Sequence, residues 1–251
     1  ITINRKLAAM NSITAQDMQF LQNNNYNVFA EDARPILLKY TINEQLSADE
    51  KKYLSLVASW NLMNDAKEKA PTCFTAWWDS LHAEVFNDDL VQDKMPIAKP
   101  EKFVLLEALE KDSSFKFIDN INTPTKEDLY QMVTVALKKA SKKLASLEKE
   151  NKLEWAQYKN TTVYHLLKTN AMAFAREGLM NGGGNGIINA SQHDHGPSWR
   201  MVVEMTSPTP EGRITPGCPG LWNDQQQAAL QRIVDFAHTS SSAKVGLQLG
   251  H

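Results

Sequence analysis

The sequence predicts an α+β fold: a helix-rich body leads into a few β-strands and then into one βα step. Three observations predict it. Capping-box pairs and apolar residues at helical spacing recur through the first half of the chain. From Leu153 the character changes, and a glycine cluster at Gly182–Gly186 is followed by short β-compatible runs. After Pro210 a loop dense in Gly and Pro gives way to a helical pattern and then to an alternating one.

Taken in order, Thr14 with Asp17 forms a capping-box-like start, and Met18 and Leu21 give the helix that follows an apolar face. Pro35 is expected to open a further helix carrying Ile36, Leu37 and Leu38, because proline suits a first turn. Ser47 with Glu50 is a cleaner capping box, followed by Tyr53, Leu54, Val57 and Trp60 at helical spacing. PTCFTAWWDSLHAEVFNDDL places Phe74, Trp77, Trp78, Leu81 and Val85 on a strongly apolar helix. A binding groove could use those tryptophans, but aromatic residues at that spacing are more often core. Pro100 opens the next helix, with Phe103, Leu106 and Leu109 available for burial.

Residues 112–123 read as a polar connection. Thr125 with Asp128 then caps the longest helix, whose apolar positions include Leu129, Met132, Val133, Ala136, Leu137 and Ala140. Its later stretch, KKASKKLASLEKENK, mixes both signs of charge and reads as a solvated face rather than a basic patch. The helical body is expected to pack through Trp60, Trp77, Phe103 and Leu129.

Beyond it, Ile187 and Ile188, and then Met201, Val202 and Val203, have β-compatible side chains. Gly212, Pro216, Gly217, Pro219 and Gly220 make a loop. Asn223 or Asp224 can cap a helix bearing Leu230, Ile233, Val234 and Ala237, and Val245, Leu247 and Leu249 alternate as a buried strand.

Composition excludes some classes. With 251 residues the chain can bury a real core as one large or two small domains. A net charge of -2 gives no electrostatic reason to expect nucleic acid or an anionic membrane as partner. No apolar run approaches the roughly 20 residues needed to span a bilayer. The first residues, ITINRKLAAM, lack the apolar stretch of a signal peptide. Cys73 and Cys218 have neither metal spacing nor the pattern of a disulfide framework.

The chemical motifs are weak when read from residues alone. Gly182–Gly186 suggests a phosphate cradle but has neither G-x-G-x-x-G nor G-K-[ST], and what precedes it reads as helix, so a tight backbone turn is expected. His193, Asp194 and His195 are compact, yet neighbours on an extended chain point to opposite faces and no further ligand completes a metal site. A structural turn is expected there.

Gly196-Pro197-Ser198 is not a nucleophile elbow, because Arg200 stands where the second glycine belongs. An N-terminal nucleophile must be a Ser, Thr or Cys whose own amine serves as base, which Ile1 cannot be. Gly217-Cys218 is the only Gly followed by Ser, Thr or Cys, and cleavage there would leave too short a piece to hold a catalytic sheet. No catalytic residue is assigned.

Ordered blocks carry two resemblances. TAQDMQFLQNNNYNVFAEDARPILL, AWWDSLHAEVFNDDL, WAQYKNTTVYHLL, GGGNGIINA and HGPSWRMVV together resemble the C-terminal part of a penicillin acylase family β chain, over roughly residues 3–206. This resemblance implies part of the αββα sandwich of an N-terminal nucleophile hydrolase. It also implies hydrolysis of acyl amides, such as β-lactam side chains or acyl-homoserine lactones.

The family's nucleophile, oxyanion-hole groups and calcium ligands map to none of these blocks, so no activity or calcium site is expected of the chain alone. His195, Gly196, Ser198 and Arg200 match a family motif that reads as structural. The implied partner is the remainder of an acylase heterodimer or another copy of the chain. The implied location is periplasmic or exported.

EGRITPGCPGLWNDQQ, RIVDFAH and AKVGLQLGH, within residues 202–251, resemble the start of an old yellow enzyme barrel, a truncated TIM barrel here. That resemblance implies NAD(P)H:flavin oxidoreductase chemistry in a complete barrel, with Gln248 and Met205 beside the FMN. Neither residue is expected to function here, because two strands cannot hold a flavin. The expected organisation is a mosaic of residues 1–206 and 207–251, with a non-catalytic assembled or fused chain as the third possibility.

Overall fold

Capping and apolar spacing generate the first half of the protein helix by helix. The structure is a computed structural model and describes residues 2–90, 98–165, 167, 172–195 and 221–240. The chain divides into two compact units, Ile1–Gly196 and Pro197–His251. The expected boundary at 206/207 lies outside the described residues, as do Met201, Val202, Val203 and the strand expected over residues 245–249.

In the first unit, α1 (Thr2–Ala8) precedes α2 (Ala15–Gln22), where Thr14 and Asp17 form the expected reciprocal capping box. Of the two residues expected to form its apolar face, Leu21 is buried but Met18 is exposed. Pro35 does not open a helix. It lies inside α3 (Val28–Lys39), which starts about two turns earlier because Asn27 Oδ1 accepts the Ala30 N–H. Phe29, Ala30, Ala33 and Leu37 are buried while Pro35 is exposed, so packing outweighs the one helical hydrogen bond that proline removes.

α4 (Ala48–Ala58) begins at the full Ser47/Glu50 capping box and buries Tyr53 and Val57. The centre of the body is α5 (Ala70–Leu90) against α7 (Leu129–Lys149). Phe74, Trp77, Trp78, Leu81 and Val85 are all buried in α5, as expected for a core face. Trp77 Nε1–H donates to the Val133 carbonyl of α7 at 3.0 Å, which satisfies the indole where water is excluded. Each large apolar side chain buried here contributes on the order of 1.5–3 kcal/mol.

α7 starts later than expected, because Asp128 is the N-cap and pairs with Gln131, while Thr125 lies outside the helix. Its six expected apolar positions are all buried. α6 (Lys102–Lys111) buries Leu105, Leu106 and Leu109, but Phe103 is about half exposed. Instead of entering the core, the Phe103 ring meets Phe29 edge-on at 4.9 Å. The connection over residues 112–123 is more than polar. Phe115 and Phe117 pack with Phe86 of α5, and Ile118 is buried.

The strands of this unit differ from those expected. A short α8 (Trp155–Lys159) ends at Asn160 in the left-handed region, and the chain then enters β1 (Thr161–Val163). β2 (Arg176–Leu179) pairs antiparallel with β1, and β3 (Asp194–His195) pairs parallel to it, giving the order β2-β1-β3. Ile187 and Ile188 lie outside these strands, and Ile187 is buried through a bend. Asp194-His195 is therefore an edge strand, while His193 lies in the bend that precedes it. The described helix-rich body with its small sheet is an α+β arrangement.

In the second unit, α9 (Asp224–Ser240) begins where Asn223 Oδ1 accepts the Gln226 N–H. Leu230, Val234 and Ala237 share a half-buried face, whereas Ile233 is exposed. The rest of the expected βα step lies outside the described residues.

Candidate functional site

The glycine segment closes a polar knot that ties three parts of the first unit together. β2, not a helix, precedes it, which corrects the sequence expectation. Gly183, at φ +79, donates its N–H to the Asn64 carbonyl at 2.9 Å, and Gly184 N–H donates to the Asn189 carbonyl at 3.0 Å. A side chain on Gly183 would place its Cβ 2.1 Å from the Asn189 carbonyl oxygen, so the close approach demands glycine as much as the dihedral does. These two amides are thus committed to the fold rather than turned toward a ligand.

Side chains complete the knot. Asn189 Nδ2 donates to Asn25 Oδ1 at 2.7 Å, and Asn25 Nδ2 donates to Asp65 Oδ1 at 2.7 Å. Trp155 Nε1–H donates to the Gly183 carbonyl at 2.6 Å. Lys159 is almost fully buried, and its Nζ donates to the Gly182 carbonyl at 2.7 Å, the Ser191 carbonyl at 2.9 Å and Ser191 Oγ at 3.2 Å. An ammonium buried this deeply is tolerable only because carbonyl oxygens replace its water. No sequence signal marked Lys159, since a lysine ending a short helix looks like a surface residue.

The histidines serve the backbone. His193 Nδ1 lies 2.8 Å from the Lys159 carbonyl and 2.7 Å from that of Asn160, so it carries a proton and donates. His195 Nε2 accepts the Gln192 N–H at 3.0 Å. Among the described residues no three His, Cys, Asp or Glu side chains converge as a metal set. Cys73 is buried, and burial pushes its thiol up to about 12, so it is no thiolate at neutral pH. Met205, Gln248, Ser198, Arg200 and Cys218 lie outside the described residues, as does Gly196.

Beside the knot opens a cleft of about 130 Å³ with an aromatic floor of Phe29, Phe74 and Trp78. Phe29 meets Trp78 edge-on at 5.1 Å. Asp79 and Lys102 stand at its lip, the carboxylate reaching solvent and the lysine half-buried. Burial raises the Asp79 pKa and lowers that of Lys102, each opposed by the other's charge. Asp79 is accessible to water although protein surrounds it, so the solvent screens its shift. Asn64 and Gly184 join the wall from the knot side. Trp78 was readable in sequence as core or groove, and it serves as both. Asp79 and Lys102 carried no sequence signal, because they lie on separate helices.

Comparison with known proteins supports both resemblances. The model of the family described as penicillin amidase matches residues 2–219. A second set of matches covers a short part of the chain. The NADH:flavin oxidoreductase FG08077 of Gibberella zeae is 52% identical over 56 residues, 22% of this chain and 13% of that protein. An NADPH dehydrogenase of Listeria welshimeri is 45% identical over 51 residues, 20% of this chain and 15% of that protein. An NADPH dehydrogenase of Halalkalibacterium halodurans is 39% identical over 51 residues, again 15% of its length. The chain therefore spans only about one-seventh of the curated relatives it matches.

Proposed function

The chain belongs to the penicillin amidase family, and from that premise we propose that it supplies the non-nucleophilic C-terminal frame of an acyl-amide hydrolase. The single observation that carries this reading is the family match over residues 2–219. The bonds to be cleaved are amides of the kind found in β-lactam side chains or acyl-homoserine lactones. In this reading β2-β1-β3 is the margin of an αββα sandwich, and the polar knot anchors that margin to the helical body. Its partner is the remainder of an acylase heterodimer or a second copy of the chain.

The site chemistry supports a framing role over a catalytic one. His82, His165 and His193 hydrogen-bond backbone groups, and the Cys73 thiol stays protonated. Catalysis by this family's route needs a nucleophile activated by its own amine. Incubating the purified 251-residue chain with a chromogenic phenylacetyl amide tests the proposal. No product above the enzyme-free rate is expected, and a burst of product stoichiometric with protein would overturn it.

The identity to flavin oxidoreductases over 51–56 residues favours a second reading, in which one segment descends from a flavin barrel. Flavin affinity needs a phosphate cradle, hydrogen bonds along the ring and walls that exclude water. Gln248 and Met205 would then be remnants, and the chain would leave FMN fluorescence unchanged. Saturable quenching at micromolar protein would establish the oxidoreductase reading instead.

A further inference from the structure

The cleft between α3, α5 and α6 holds polar groups that the fold leaves unused. Asn64 is only 2% exposed; its Oδ1 accepts from Asn27 Nδ2, yet its Nδ2 has no acceptor among the described residues. Asp79 feels the charges of Lys143, Lys102 and His82 at a distance but has no hydrogen bond or ion pair with any described residue. Lys102 Nζ lies 4.5 Å from the centroid of the Phe29 ring and makes no ion pair within 4.0 Å among the described residues.

Two opposite charges thus face one cleft without touching, above an aromatic floor and beside the Asn64 amide donor. A neutral ligand would leave both charges unmatched, and a singly charged one would leave one of them so. A ligand with both signs a few bonds apart satisfies the set and bridges the gap. The volume of about 130 Å³ admits a small molecule and not a peptide or nucleotide.

We propose that this cleft binds a small zwitterion of the α-amino-acid type with a short aliphatic side chain. Its carboxylate takes Lys102 Nζ and Asn64 Nδ2, its ammonium faces Asp79, and its side chain rests on Phe29, Phe74 and Trp78. Partial burial of Lys102 strengthens its contact with the carboxylate, since that ammonium has already lost some of its water. The proposal stands apart from the amidase reading, because the cleft uses none of that reaction's chemistry.

Saturation-transfer NMR and calorimetry on the full chain test it with three probes: L-valine, isobutylamine and 3-methylbutanoate. Valine should bind saturably in the millimolar range, and each singly charged analogue about tenfold more weakly or worse, the loss of one charge-assisted contact. Asp79→Asn and Lys102→Gln should each weaken valine by about tenfold with an unchanged far-ultraviolet circular dichroism spectrum. If Lys102→Gln disturbs the helices, Asp79→Asn decides alone, since that side chain reaches solvent. Absence of saturable valine binding, equal binding of all three probes, or folded variants with unchanged affinity would each overturn the assignment.

Discussion

Replacing Gly183 by alanine isolates what the polar knot contributes to stability. The residue sits at φ +79, where an L side chain costs about 1–2 kcal/mol. Its Cβ would also meet the Asn189 carbonyl oxygen at 2.1 Å and Asn189 Cγ at 2.7 Å, so the turn must move. Movement strains the Gly183 and Gly184 N–H bonds and the Trp155 bond to the Gly183 carbonyl. Leaving one buried partner unsatisfied costs about 1–3 kcal/mol. The sum is about 2–5 kcal/mol, a large part of a typical stability of about 5–15 kcal/mol.

Gly186→Ala is the internal control. Gly186 has nearly the same dihedral, φ +76, but nothing lies within 4 Å of the added Cβ. Only the backbone term remains, about 1–2 kcal/mol. Urea unfolding followed by circular dichroism and by tryptophan fluorescence measures both. Gly183→Ala should lose about 1–3 kcal/mol more than Gly186→Ala. Equal losses would refute the close-packed turn and leave the dihedral as the only constraint.

Two further outcomes concern Lys159 of the knot and Glu148 of α7. Lys159→Met removes three donated hydrogen bonds but also the desolvation cost of an ammonium, and a net loss of about 2–4 kcal/mol is expected in urea titrations. Glu148 accepts from Lys52 and Tyr53, and the Lys52 hydrogen bond, the largest cause, holds its pKa below the usual carboxylate value near 4.3. A depressed folded pKa adds stability above the unfolded value, and that stability is lost as pH falls through the folded one. The melting temperature should therefore drop less steeply below about pH 4.3 in Glu148→Gln than in the parent, and parallel pH profiles would contradict this.

The helical body was legible because its signals are local. Asp17, Glu50 and Asp128 sit within one turn of the helix starts they mark, and Phe74, Trp77, Trp78 and Leu81 repeat at helical spacing. Pro35 misled because its local preference for a first turn lost to the burial of Phe29, Ala30, Ala33 and Leu37 around it. Phe103 misled because helical spacing shows which face a residue shares but not how far the neighbouring helix covers it. The sheet was hidden for a different reason. Its strands are two to four residues long, too short for an alternating pattern, and the β1–β3 pairing joins segments some 30 residues apart.

The candidate site was the least legible part. Asn25, Asn64 and Asn189 are ordinary loop residues until the fold brings them to one point, and only the glycine cluster announced it. Asp79 and Lys102 come from helices α5 and α6, and their shared cleft depends on how those helices pack. Met205 and Gln248, the positions that the flavin-enzyme resemblance implies, lie outside the described residues.

This member of the penicillin amidase family is proposed to frame an amidase site without supplying its nucleophile. Intact-mass spectrometry after incubation of the purified chain with phenylmethylsulfonyl fluoride tests it most directly, since an activated Ser, Thr or Cys would be sulfonylated. A single unmodified mass is expected at neutral pH. One stoichiometric adduct, mapped to a single residue and prevented by a phenylacetyl amide, would contradict it.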